Sequence, residues 1–332
     1  MKILKGGGGS RSENKTLRGI TALAAFCVVI IHCNVPGMFG DVVTGLSRFA
    51  VPCFFMISGY YLFSKNGYLE KIPNKIWNTV KLILILKVMY LIIDFILLKN
   101  GTLGMNDVAY NFIISSDYNQ HVWFLYALLA LYVFSYLAAK HNFDISRLFG
   151  IAIVIIVIDL IFSELLPVCG FDTVQISNKI YPFIGLSFFI IGYLIHKNMK
   201  YVKSLLTNKL LAISVMGGGG LSVIESIFVS RTNLYFGIIV FTVALFLFAI
   251  KNPSKIKSRI LTYVGRELSG GIYIIHPAII LIFDMMLTKI DGFEYIEPVF
   301  VYAISVIMMF CFSISRKVMK NMQNRRTVIK PT

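Results

Sequence analysis

Residues 20–34 read ITALAAFCVVIIHCN, an apolar run broken near its end by His32. At a helical rise of about 1.5 Å per residue, and extended by its neighbours, this stretch is long enough to cross a hydrocarbon core of about 30 Å. An ionisable ring in a membrane helix is costly and by default marks function. The competing reading makes His32 a helix-end residue that reaches the outer interface.

The rest of the chain follows the same pattern. It is 57% hydrophobic and only 14% charged, with a mean hydropathy of +0.76 over 332 residues. Soluble domains average about 45–50% apolar and about 25% charged residues. The apolar surplus comes in blocks, and ten spans can be drawn near 20–35, 46–63, 80–98, 121–138, 148–165, 180–195, 209–229, 233–250, 268–287 and 298–315. The expected fold is therefore all-α, a polytopic membrane protein of about ten transmembrane helices. Residues 1–13 read as a flexible leader or cloning remnant, 14–316 as the membrane domain and 317–332 as a basic cytoplasmic tail. No cleavable signal is expected before the second span.

Charge position sets the orientation. Of the 32 lysines and arginines, Arg48, Lys99, Lys179, Arg231 and Lys289 lie near one set of span ends and Lys87 lies within a span. The other 26 cluster at the opposite ends, together with both termini. By the positive-inside rule both termini are expected in the cytoplasm. The net charge of +16 then faces membrane lipid headgroups or an anionic cytoplasmic substrate, and no nucleic acid is expected as a partner.

Several polar groups fall inside or beside the spans. Lys87 and Asp94 are seven apart and share a helix face, while Lys81 lies nearer the cytoplasm. His121 and Trp123 open the fourth span, where an aromatic interface belt is the plain reading. Gly185 and Gly192 suit a close helix crossing, as does Ser58-Gly59. The run Gly217–Gly220 is expected to weaken its helix at mid-membrane, and Glu225 in the same span requires a partner. Tyr273 and His276 are three apart, and His276 is expected at a mid-membrane depth similar to that of His32. The five cysteines form no paired motif, and neither metal-ligand spacing nor a nucleotide-binding loop occurs, so no metal is expected.

Five segments carry a family likeness: KTLRGITALAAFCVVIIH (15–32), FFMISGYYLF (54–63), HVWFLYALLALY (121–132), GLSFFIIGYLI (185–195) and SGGIYIIHPAI (269–279). In this order they resemble the acyltransferase-3 family of integral membrane acyltransferases. The resemblance implies transfer of an acyl group, often acetyl, from a cytoplasmic thioester such as acyl-CoA or acetyl-CoA. The implied acceptor is a hydroxyl of a surface glycan or lipid-linked glycan, and the implied location is a bacterial plasma membrane. It maps the family's first-span histidine onto His32 as general base, a role suited to an imidazole that ordinarily titrates near about 6.5. The family arginine eleven residues earlier is replaced by Thr21, and Arg18 stands one turn further out. Arg18, Lys81 and Lys87 are the implied donor-binding residues, and Ser58, Trp123, Tyr273 and His276 the implied substrate-cavity residues. The alternatives are a polysaccharide or lipid-linked sugar transporter, which Asp94, Glu225 and the glycine run fit, and a non-catalytic relative.

The charge split predicts that a cysteine at Asn106, in a cysteine-free background, reacts with an impermeant maleimide in intact cells. Labelling only after lysis would reverse the orientation.

Overall fold

The computed structural model describes residues 13–63, 68–99, 104–108, 121–229, 232–287 and 290–328. Among them there is helix and no strand, as the apolar blocks require when backbone polar groups must be satisfied within their own segment. Among the described residues, eight helices or helix pairs are long and apolar enough to cross a membrane. Two further expected spans fall short of that description. The helix Phe236–Lys251 is apolar but has 16 residues, and the 32-residue helix Tyr68–Lys99 carries Lys81, Lys87 and Asp94 in its apolar half. The expected basic tail begins inside the last helix, which continues to Val328.

The chain divides into two compact units, residues 1–36 with 252–332, and residues 37–251. In the first, helix α1 (Lys15–His32) begins at Asn14, whose side chain accepts a 2.8 Å hydrogen bond from the Leu17 amide. The Thr16 hydroxyl donates to the Asn252 carbonyl and accepts from the Lys255 amide at 2.9 Å. These contacts tie the two distant stretches of the unit together at one end. Further along α1, a β-carbon on Gly265 would lie 1.9 Å from the Arg18 carbonyl oxygen, so only glycine admits this backbone approach. Gly265 belongs to a π-helical turn, Val264–Leu268, and such widened turns are frequent at functional sites.

In the second unit, α2 (Gly37–Ser47) and α3 (Ala50–Leu62) together form one crossing segment. Helix α4 (Tyr68–Lys99) and α5 (Trp123–Lys140) follow. Helix α6 (Phe149–Leu160) runs on through a π turn at Ile161–Leu165. Next come α7 (Val174–Lys197), α8 (Met199–Leu205), α9 (Asn208–Phe228) and α10 (Phe236–Lys251). Helices α3 and α7 run parallel in close contact. A β-carbon on Gly59 would lie 2.0 Å from the Phe189 oxygen, and one on Gly192 2.1 Å from the Met56 oxygen. The paired glycines of the sequence thus serve the expected close crossing. Exposed Asp144, between α5 and α6, receives a 2.7 Å hydrogen bond from Lys197, which with Ser146 holds its carboxyl well below the usual range.

The glycine run does not break its helix. α9 is continuous from Asn208 to Phe228, and Gly218 instead lets α10 approach: a β-carbon there would lie 2.6 Å from the Phe241 nitrogen. Glu225 finds its partner in the first turn of α10, accepting from the Gly237 amide at 2.9 Å, while Glu164 accepts from the Phe236 amide at 3.0 Å. Two carboxyl groups thereby satisfy amides that a helix start leaves without intrahelical partners.

The neighbours Gly217 and Gly218 give opposite predictions. Gly217 has open space where its β-carbon would go, so Gly217→Ala is expected to stabilise by about 0.5–1 kcal/mol through helix propensity alone. Gly218→Ala should destabilise by about 1–3 kcal/mol through overpacking against α10. Thermal unfolding in detergent compares the two, and an equal effect of both would contradict the packing described.

Candidate active site

The first unit brings two histidines together. Helix α11 (Arg259–Tyr263), the π turn and α12 (Ser269–Leu287) form a continuous rod that starts at the same end as α1. His32 is the seventeenth residue after Lys15, and His276 the seventeenth after Arg259. Both therefore lie about 26 Å along their rods, and their ring centroids are 5.3 Å apart. The Tyr273 ring is 6.2 Å from that of His276, as their three-residue spacing predicts.

The two rings differ in setting. His276 is fully buried, and its Nδ1 lies 3.0 Å from the Ile272 carbonyl oxygen one turn back. A carbonyl only accepts, so Nδ1 carries the hydrogen of that bond and the neutral ring keeps its lone pair on Nε2. His32 is the last residue of α1 and is exposed, not sunk within the helix as its distance from residue 20 suggested. The chain turns extended at Cys33, which ends the helix there. His32 nevertheless keeps its place opposite His276, because α12 carries its histidine in mid-helix at the same level.

Beyond the histidines lies an acidic group that the sequence reading did not single out. Glu297 is 6% exposed at the first turn of α13 (Glu297–Val328), and Cys33, Asp284 and Glu294 interact with it electrostatically. An acid in the first helical turn reads, from sequence, only as a favourable partner for the helix dipole.

At the other end of α1, Arg18 is 9% exposed and its Nε lies 3.4 Å from Glu13 Oε1. Arg266 reaches the second oxygen of the same carboxylate at 3.1 Å and also binds Glu267 at 3.0 Å. Two guanidiniums thus converge on one acid beside the π turn. Side chains on a helix lean toward its N-terminus, so Arg18 is directed away from His32, which lies fourteen residues and about 21 Å further on. Thr21, where the resemblance led to an arginine being expected, is buried, and its hydroxyl donates to the Leu17 carbonyl at 2.7 Å. Arg266 escaped the sequence reading because a basic residue in a cytoplasmic connection looks like any other positive-inside charge.

The remaining expected residues belong to the second unit. Lys87 and Asp94 are buried on one face of α4 and interact electrostatically, whereas Lys81 is exposed with its ammonium 5.1 Å from the Trp77 ring centroid. Between Lys87 and Asp94 stands Tyr90, whose hydroxyl is 3.4 Å from His121 Nε2. His121 is 3% exposed, so it is a core residue and not part of an interface belt. Trp123 is half-buried, with the Phe55 and Tyr181 ring centroids 6.2 and 5.3 Å away. Ser58 is half-buried beside Gly59, at the α3–α7 crossing. Among the described residues no group of histidine, cysteine, aspartate and glutamate is arranged to hold a metal ion.

This arrangement sets a buried imidazole beside an exposed one, with an arginine–glutamate cluster at the far end of the same helix. The acyltransferase-3 family, described as an acyltransferase domain, matches residues 14–315. A serine/alanine racemase of Enterococcus gallinarum is 38% identical over 77 residues, which cover 21% of this chain and 11% of the racemase. The chain therefore spans only a small part of that relative's length. No solved structure matches the chain. The family match extends over nearly all of the apolar helices and both histidines: the chain belongs to the acyltransferase-3 family of membrane acyltransferases.

Proposed function

We propose that the protein transfers an acyl group, with acetyl as the first candidate, from a cytoplasmic acyl-CoA to a hydroxyl of a surface or lipid-linked glycan in a bacterial plasma membrane. His32 is the general base. The observation that carries this reading is the 5.3 Å His32–His276 pair within one unit of a member of an acyl-transferring family.

In this reading the glycan hydroxyl attacks the thioester carbonyl while His32 takes its proton. Collapse of the tetrahedral intermediate breaks the carbon–sulfur bond, and the departing thiolate recovers the proton from His32, so charge and protons balance. The carbonyl end of α1 carries partial negative charge, which stabilises the imidazolium formed on the way. His276, oriented through Ile272, supplies a second nitrogen that can hold the proton in relay. Apolar packing around the buried ring limits water, which suppresses hydrolysis of the thioester. Arg18 and Arg266, which share Glu13 here, would exchange that carboxylate for the donor's phosphates, since both groups accept charge-assisted hydrogen bonds from guanidinium. Lys81 and Lys87 are further donor-binding candidates, of which Lys87 also serves Asp94. Tyr273 lies next to the reacting groups. The racemase relative shares one short stretch with this chain, so the substrates in its name do not bear on the acceptor.

The test is transfer of labelled acetyl from acetyl-CoA to envelope glycans in membranes, comparing wild type with His32→Gln at matched expression and detergent stability. Glutamine keeps hydrogen-bonding capacity but takes up no proton at neutral pH. Loss of a general base predicts a fall of about a hundred- to ten-thousandfold. Near-normal transfer by a folded His32→Gln protein would refute the assignment, and glycan transport without acylation by the wild type would refute the function.

A further inference from the structure

The second unit contains a buried acid that the mechanism does not use. Asp159, near the end of α6, is 0% exposed, and neither carboxyl oxygen has a hydrogen-bond partner among the described residues. A carboxyl group in this state is costly, and in a membrane helix its retention points to function. The buried Nε of Arg48 is likewise without a hydrogen-bond partner among the described residues.

Helix packing places these two groups at one level. The Ser187 hydroxyl of α7 donates to the Ala152 carbonyl of α6 at 2.9 Å, and the two helices run antiparallel. Seven residues onward along α6 is Asp159, and six residues back along α7 is Tyr181, so the two are neighbours across the contact. Helices α3 and α7 run parallel, with Phe55 against Gly185, Gly59 against Phe189 and Phe63 against Tyr193. That offset puts position 51 beside Tyr181 and Arg48 one turn beyond it at the same end. Both Arg48 and Asp159 interact electrostatically with Tyr181. The Trp123 ring lies 5.3 Å from the Tyr181 ring. Asp159, Tyr181, Arg48 and Trp123 thus combine an acceptor, a hydroxyl, a guanidinium donor and an aromatic surface at the basic-poor end of the unit.

We infer that this cluster is a binding site for a sugar ring, with Asp159 as the hydrogen-bonding anchor. Ligand sites of this kind have aromatic and apolar walls with a few placed polar groups, and a buried polar group discriminates strongly for a hydroxyl that satisfies it. A pyranose offers hydroxyls to Asp159 and Arg48 and an apolar C–H face to an aromatic ring. The inference gives the proposed glycan acceptor a place of contact and in that respect rests on the function above, but its test involves no acyl donor.

The chain has two tryptophans, Trp77 and Trp123, and Trp77 is largely exposed at the other end of α4. Trp77→Phe therefore leaves Trp123 as the single fluorescent reporter. The detergent-solubilised full chain carrying this change is titrated with methyl glucoside, methyl galactoside, N-acetylglucosamine and N-acetylmannosamine, with betaine as the non-sugar control. At least one sugar is expected to shift Trp123 emission saturably, and Asp159→Leu to weaken that binding by at least about tenfold. Asp159→Asn, which keeps the shape and removes the charge, weakens it by a smaller factor and serves if the leucine variant does not fold. No saturable response to any sugar, a response equalled by betaine, or unchanged affinity in a folded Asp159 variant would overturn the site. Sugar binding without acetyl transfer would leave the site standing and sink the acyltransferase reading, and transfer with Asp159-independent binding would do the reverse.

Discussion

One backbone contact sets the register on which the histidine pair depends. Gly265 lies against the Arg18 carbonyl so closely that no β-carbon fits between them, and this fixes α1 lengthwise on the rod that continues into α12. From that contact His276 is eleven residues along one rod, and from Ala22 and Arg18 together His32 is about as far along the other. The π turn at Val264–Leu268 is the means by which the rod presents a flat, wide turn to α1. The Tyr302 hydroxyl then reaches the Ala22 carbonyl at 3.2 Å, and its ring packs on Phe26 at 4.9 Å, so α13 holds α1 from another side. Most residues of α1 are buried, whereas its last residue, His32, is exposed.

The same economy governs charge in both units. In an apolar surround an isolated ionised group is expensive, and several charges of the two units are set against partners. Glu13 lies between Arg18 and Arg266, Lys87 shares a helix face with Asp94, and Glu164 and Glu225 meet the amides that begin α10. Asp159 departs from that rule, which is why it stands apart from the structural carboxylates.

Much of this was legible in the sequence, for physical reasons. A chain with blocks of apolar residues has only helices available to it in lipid, so fold class followed from composition. Gly185 and Gly192 share a face, and the structure uses that face against α3. The meeting of His32 and His276 followed from comparable distances along two helices entering from one side. What local sequence does not contain is the neighbour. The glycine run looked like a break because its low propensity is local, whereas the backbone of α10 that packs on Gly218 is distant in sequence. His121 looked interfacial because its partner, Tyr90, is 31 residues away on α4. The exposure of His32 depended on where α1 stops, and helix ends are the least determined feature of an apolar run.

The central claim is that His32 and His276 act as one unit in proton transfer. A double-mutant cycle on the acetyl-transfer rate, with His32→Gln, His276→Gln and the double variant at matched folding, tests it most directly. Residues that act as a unit are strongly non-additive, so the double variant is predicted to be no slower than His32→Gln alone. Losses that multiply across the two positions would show that the histidines work independently, and would contradict the account.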